Sequence, residues 1–159
     1  NLIHAVGIQS PGLASAPAIA QDVAAMAVEI LKTTREVKPN PTFNPKRRLT
    51  PQLAKLSLEE RGEAIKKNPA YGQIVCRCEA ISAGEIIDAI HSPVPATSLD
   101  AVKRRARAGM GRCQGGFCTP AILEILARET GKAASEITKG RPGSQLLAGE
   151  TKTGGGTRT

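Results

Sequence analysis

The residues best suited to chemistry are four cysteines in two close pairs, Cys76-Arg77-Cys78 and Cys113-Gln114-Gly115-Gly116-Phe117-Cys118. Thiolates are soft ligands, and four of them converging on one point make the tetrahedral sulfur environment used by zinc and by iron–sulfur centres. A one-residue gap brings two sulfurs to one centre only if the backbone between them turns. The glycine-rich second pair offers the same freedom across a longer gap. Gly109, Gly111, Gly115 and Gly116 permit positive φ and close approach to a bulky group. They also leave backbone N–H groups free to form a nest around an anion. The helix expected after Cys118 adds the positive end of its dipole, and together these features are expected to lower thiol pKa. Four-cysteine zinc sites ordinarily place two or more residues between paired ligands. The single residue between Cys76 and Cys78 departs from that, and the glycines suit a centre larger than one ion. The pattern therefore favours a [2Fe-2S] cluster on Cys76, Cys78, Cys113 and Cys118 over zinc. Disulfides or unliganded thiols are the remaining readings, and the short-gap run of a common [4Fe-4S] site is absent.

Length and composition bound what surrounds this centre. The chain has 159 residues, enough for one domain with attached pieces. Only 2% of residues are aromatic, so a core must come from Ala, Ile, Leu and Val. With 16 Gly and 11 Pro, much of the chain should be turn and extended loop. The net charge of +8 suits a chain carrying an anionic prosthetic group, and it also suits acidic partners or anionic membranes. No run of 18 or more apolar residues exists, so no membrane-spanning helix is expected. The N-terminus lacks the pattern of a secretory signal, which favours a reducing, cytoplasmic setting and a metal role for the cysteines.

The elements that must position the cysteines are mostly helical. Residues 2 to 8 read as a strand ending at Gly7. A helix follows with Pro17 in its first turn and apolar residues at Ile19, Val23, Met26 and Ile30, ending near Lys32. One strand and one helix do not make a domain, so their packing partner is expected elsewhere. Residues 38–56 form a linker, proline-rich and basic through Lys46-Arg47-Arg48. Ser57 with Glu60, and Ser82 with Glu85, are capping boxes that start two helices. Thr97 or Ser98 caps a third, running from Leu99 to about Ala108. Thr119 caps the last, with Pro120 in its first turn and Thr130-Gly131 at its end. Residues 131–159 form a weaker extension, with Ile137 and Leu146-Leu147 able to dock back and a glycine-rich end expected to be disordered.

Two stretches resemble a known family. Ile74-Val75-Cys76-Arg77-Cys78-Glu79 and Gly109-Met110-Gly111-Arg112-Cys113-Gln114-Gly115-Gly116-Phe117-Cys118 resemble the [2Fe-2S] domain of the bacterioferritin-associated ferredoxin-like family. The likeness is to the version fused behind FAD-dependent oxidoreductases of the glycerol-3-phosphate dehydrogenase type. It implies that the four cysteines ligate the cluster on a small helix-turn-helix unit over residues 57–130. Stand-alone members close with a two-residue gap between the last cysteines; the four-residue gap here fits the fused branch. His4-Ala5-Val6-Gly7-Ile8-Gln9-Ser10-Pro11-Gly12-Leu13 and Ala16-Pro17-Ala18-Ile19-Ala20 look like the last strand and helix of the FAD-binding domain in the same enzymes. By that resemblance residues 1–37 are the end of an α/β FAD domain, and Gly7, Ile8, Ser10, Gly12 and Leu13 are flavin neighbours. The dinucleotide fingerprint for the ADP half is absent from the chain, so this chain alone is not expected to bind FAD well or to turn over a substrate.

The functional expectation is electron relay. Flavin in the parent enzyme would take electrons from glycerol 3-phosphate or a 2-hydroxy acid, and the cluster would pass them to an acceptor protein or subunit, in the cytoplasm or at the inner face of the membrane. The competing expectation is a structural or protein-docking module whose zinc or iron–sulfur centre has no redox role. Lys103, Arg104, Arg105, Arg107 and Arg112 read as a wet helix face, or as compensation for an anionic centre or docking to an acidic surface. Nucleic acid is set aside, because almost no aromatics exist to stack bases. Arg77 and Arg112 flank ligands and could tune the centre, while Met110 and Phe117 are expected to shield it from water. His4 and His91 read as structural or exposed, and Tyr71 as a packing residue.

Overall fold

The computed structural model describes residues 2–46 and 49–149. Arg47 and Arg48 of the linker's basic run, and the glycine-rich end, lie outside the described residues. The chain divides into two compact units, residues 1–47 and 48–159.

The first unit is built on one helix, α1 (Gly12–Lys32). The strand expected over residues 2–8 does not form. A strand needs a neighbour to take its N–H and C=O groups, and the described residues of this unit contain no second strand. Leu2 and Val6, which a strand packed on a core would bury, are 75% and 80% exposed. The expected strand–helix fragment is therefore a helix with an irregular lead-in. The helix also begins before Pro17, which lies inside it. A turn at Gln9–Gly12 sets the start: Gly12 N–H donates to the Gln9 carbonyl, and Ala14 and Ser15 N–H donate to that of Pro11. None of the residues of α1 is buried. By length and composition alone α1 is apolar enough to cross a membrane, although no uninterrupted apolar run of that length exists. Asp22 and Glu29 interrupt its apolar sequence, but Ala, Ile, Val and Met dominate the average. Core helices of soluble proteins and signal sequences pass the same test.

The second unit positions the cysteines. Its elements are α2 (Leu58–Lys67), β1 (Ile74–Cys76), β2 (Ile81–Ser82), α3 (Ala83–Ile90), α4 (Leu99–Ala106) and α5 (Thr119–Thr130), with short 3-10 turns at Leu53–Lys55, Pro69–Gly72 and Ala134–Glu136. Both capping boxes form. Ser57 N–H donates to the Glu60 carboxylate at 2.8 Å, and Glu60 N–H returns a bond to Ser57 Oγ at 3.2 Å. The Ser82–Glu85 pair does the same at 2.8 and 3.2 Å, but here it is buried. β1 and β2 pair antiparallel, Ile74 opposite Ser82 and Cys76 opposite Ile81. Ser98 caps α4 through a bond from Ala101 N–H. That helix stops at Ala106 because Arg107 turns left-handed, with φ 65°. α5 opens differently from expectation. Cys118 holds the cap position without a side-chain bond, and the Thr119 hydroxyl donates back to the Gly115 carbonyl at 2.6 Å. Gly131, at φ 67°, ends it as expected.

The core joins α3, α4 and α5 to the strand pair through Ile81, Ile86, Val102, Leu126 and two of the cysteines, Cys76 and Cys118. Ile137 docks into it and is 1% exposed, whereas Leu146 and Leu147 remain 47% and 42% exposed. Truncating a buried Leu removes its transfer energy and leaves a cavity. Leu126→Ala, at 0% exposure, is expected to lower stability by about 2–5 kcal/mol. Leu58→Ala, at 85% exposure, should change it by less than about 0.5 kcal/mol. Urea denaturation followed by circular dichroism measures both.

Candidate metal centre

Cys76 closes β1, and Cys78 lies in the hairpin loop that returns to β2. The loop turns tightly enough to require a left-handed residue, Ala80, at φ 53°. Cys113 and Cys118 lie in the connection from α4 to α5, where Gln114 and Gly115 are both left-handed, at φ 49° and 89°. These turns separate each pair by depth. Cys76 and Cys118 are 1% and 2% exposed, while Cys78 is exposed and Cys113 intermediate.

All four cysteines are free thiols, and the fold brings the two segments together. The Cys78 thiol donates to Cys113 Sγ at 3.5 Å. The buried Cys118 lies close enough to Cys76 and Cys113 for their charge to raise its pKa. Gly111 makes this approach feasible, since a Cβ there would stand 2.3 Å from Cys78 Cβ. The Gln114 side chain braces the turn by donating to the carbonyls of Met110 and Gly111 at 3.1 and 3.0 Å, and it accepts from Lys103 Nζ at 3.0 Å. Arg107 Nε reaches across to the Glu79 carboxylate at 2.9 Å, tying the end of α4 to the hairpin loop. Among the described residues no group of three or more His, Cys, Asp or Glu side chains is arranged to hold a single metal ion.

The expected lowering of thiol pKa holds for one cysteine and reverses for another. The backbone N–H of Phe117, then the Cys78 thiol and the N–H of Gly115, hold the Cys113 thiol below its ordinary range. Burial, followed by the charge and hydrogen bond of Cys76, pushes the Cys118 thiol up to about 11. The helix end beside Cys118 does not overcome that desolvation.

Phe117 does not shield the site; it is 84% exposed. Met110 is half-buried, and Arg77 and Arg112 are exposed. Tyr71 is buried against Gly84, and its hydroxyl donates to the Asp88 carboxylate. His91 Nε2 lies 2.8 Å from Glu129 Oε2 at the surface, and His4 is exposed. Gly7, Ile8, Ser10, Gly12 and Leu13 lie in the lead-in and first turn of α1, in the other unit, with Gly7 at φ 71°. Sequence reasoning misses the Glu79–Arg107 tie, the brace of Gln114 and the left-handed Ala80. Only the glycines beside Gln114 hint at how tightly this loop turns.

Residues 74–128 match the family described as the BFD-like [2Fe-2S] binding domain. This stretch of the chain belongs to that family. The [2Fe-2S] binding domain includes both cysteine segments together with α3, α4 and most of α5. The chain is also 51% identical over 153 residues to a glycerol 3-phosphate dehydrogenase of Caloramator mitchellensis, a match covering 96% of this chain and 31% of that protein. It is 42% identical over 64 residues to one component of the anaerobic glycerol-3-phosphate dehydrogenase of Escherichia coli K12, covering 40% of this chain and 12% of that one. It is 39% identical over 59 residues to the hydrogen cyanide synthase subunit HcnB of Pseudomonas aeruginosa, covering 37% and 12%. The chain therefore spans a third or less of the length of these relatives. No solved structure matches it.

The close approach of Gly111 to Cys78 is the part of this site a single methyl group would disturb most. Gly111→Ala is expected to abolish or sharply reduce metal loading of the [2Fe-2S] binding domain. Gly62→Ala, where a Cβ meets nothing within 4 Å, should leave loading unchanged. Metal analysis of the two variants decides the matter. In metal-free protein, iodoacetamide should label Cys113 at a pH below the ordinary thiol range and leave Cys118 unlabelled until the pH nears 11. Peptide mass mapping across a pH series reads this out.

Proposed function

We propose that this chain is the electron-transfer part of an FAD-dependent dehydrogenase, with a [2Fe-2S] cluster held by Cys76, Cys78, Cys113 and Cys118. The observation that carries the reading is the meeting of the two cysteine segments, with Cys78 and Cys113 at 3.5 Å, inside the [2Fe-2S] binding domain. Such a cluster supplies one-electron chemistry, accepting and releasing electrons singly where a flavin handles them in pairs.

The chain's own residues support that role in three ways. The N–H groups of Phe117, Gly115 and Gly116 point at Cys113 and favour negative charge on its sulfur. Cys76 and Cys118 sit in the apolar core, which keeps water from one side of the centre. Arg77 and Arg112, exposed beside ligands, offset negative charge on the other.

The parent enzyme in this reading oxidises glycerol 3-phosphate, the substrate in the names of two relatives, with a 2-hydroxy acid as the alternative. Gly7, Ile8, Ser10, Gly12 and Leu13 lie beside the flavin of the parent, whose FAD and substrate domains lie outside this chain. The acceptor is a partner protein or subunit, and the setting is the cytoplasm or the inner face of the membrane. Four free thiols suit a reducing compartment.

Metal and sulfide analysis of protein purified without oxygen tests the reading. About two irons and two acid-labile sulfides per chain are expected, with an electron paramagnetic resonance signal on reduction. Cys113→Ser should lose or alter that signal. Zinc with no sulfide would overturn the redox role and leave a structural or docking module.

A further inference from the structure

We infer that a cleft between α4, α5 and the segment after Gly131 binds a small oxyanion, a phosphate or carboxylate carried on a short carbon chain. The inference does not rest on the cluster assignment above. The cleft has a volume of about 330 Å³, at the lower end of the range typical of small-molecule sites. The match to the [2Fe-2S] binding domain ends at residue 128. Lys139 and Leu146, which form one wall of the cleft, lie beyond it.

That wall is fixed in place. Ile137 anchors it in the core at 1% exposure. The next two residues lend their carbonyls to the start of α4: Leu99 N–H donates to Thr138 at 3.2 Å, and Asp100 N–H to Lys139 at 2.7 Å. A helix cannot satisfy these first N–H groups by itself. Thr138 and Gln145 form an antiparallel bridge, and Lys139 N–H donates to the Ser144 carbonyl at 2.7 Å. Gly140 fits so closely that a Cβ there would stand 3.1 Å from the Asp100 carboxylate. On the other side the backbone is packed as tightly, since a Cβ on Gly109 would meet Gly115 Cα at 3.7 Å.

The side chains lining the cleft select the ligand. Lys103 and Lys139 bring two ammonium groups to it. Among the described residues no carboxylate lies within ion-pair distance of Lys103, whose Nζ donates to the Gln114 amide oxygen at 3.0 Å. Lys139 reaches Asp100 at 3.4 Å, and Arg104 approaches the same carboxylate at 3.9 Å. One carboxylate thus stands against three cations, and the excess favours an anion. Ammonium groups hold phosphate and carboxylate oxygens as compact point charges. Leu99, Ile122 and Leu146 add apolar surface that a bare inorganic ion would leave uncovered, and a short carbon chain complements it. The bound oxyanion competes with Gln114 for Lys103, behind the connection that carries Cys113 and Cys118.

Isothermal titration calorimetry of the full chain at low ionic strength tests this, with propyl phosphate, butyrate, inorganic phosphate and 1-propanol as probes. Saturable binding of propyl phosphate or butyrate at one site per chain is expected, tighter than that of inorganic phosphate, with no binding of 1-propanol. Lys103→Met and Lys139→Met should each weaken it about tenfold or more, the usual worth of a charge-assisted hydrogen bond. Lys66→Met, which removes an exposed cation of α2 paired with Glu63, should change it less than about twofold. Leu146→Trp fills the cleft without removing a charge and should abolish binding. It is an independent readout if circular dichroism shows that a lysine variant misfolds. Absence of saturable binding of both organic anions would overturn the inference. So would binding that survives both lysine replacements, the mark of diffuse attraction to a chain of net charge +8. Equal affinity for inorganic phosphate would overturn the carbon-chain assignment.

Discussion

The second unit depends on a close backbone approach. Gly111 must lie against Cys78 for the hairpin loop and the α4–α5 connection to meet, and only a residue without a Cβ fits the space. The surrounding features hold that contact in place. The Gln114 side chain ties down the consecutive carbonyls of Met110 and Gly111, and the Arg107–Glu79 pair draws the end of α4 onto the loop. That ion pair is largely exposed and is worth little as stability; its value is geometric. Beneath, the apolar core buries Cys76 and Cys118, and at Cys118 that burial disfavours a charged thiolate unless a positive centre accompanies it.

This arrangement ties electrostatics to function. The outer cysteine Cys113 sits among N–H donors, and the inner cysteine Cys118 sits in apolar surroundings. A metal-free domain therefore holds two kinds of thiol, one ready to ionise and one resistant. Binding a cationic centre changes the balance for the resistant one most, because there the uncompensated charge costs most. Folding of the core and loading of the centre are in this sense coupled through Cys76 and Cys118, which belong to both.

Much of the second unit is legible in the sequence. Capping boxes at Ser57 and Ser82 and the glycine stop at Gly131 are local signals, set by side-chain reach within a few residues, and local signals survive folding unchanged. The candidate ligands are legible for a related reason: cysteine is scarce here, and its spacing restricts the chemistry. The residues that are not legible depend on contacts across the chain. Nothing near Glu79 in sequence announces Arg107, and nothing marks Gln114 as a brace, since a glutamine beside glycines reads as a loop. Phe117 misleads because an aromatic next to a ligand suggests a shield, whereas the turn that carries it points outward. The lead-in to α1 misleads because its apolar residues have the look of a strand, and the unit holds no described strand for them to pair with.

Buried in α3 is a feature with a longer reach. A Cβ on Gly84 would lie 2.8 Å from the ring of Tyr71 and 3.0 Å from its backbone nitrogen. The ring is itself held by Asp88 through its hydroxyl. In the drift of this sequence over time, these three positions are therefore not free to change singly. A larger residue at 84 becomes tolerable only after the backbone at 71 has moved, and that movement would disturb the 3-10 turn leading into β1 and Cys76. Variation should thus enter this corner of the domain as linked replacements or not at all.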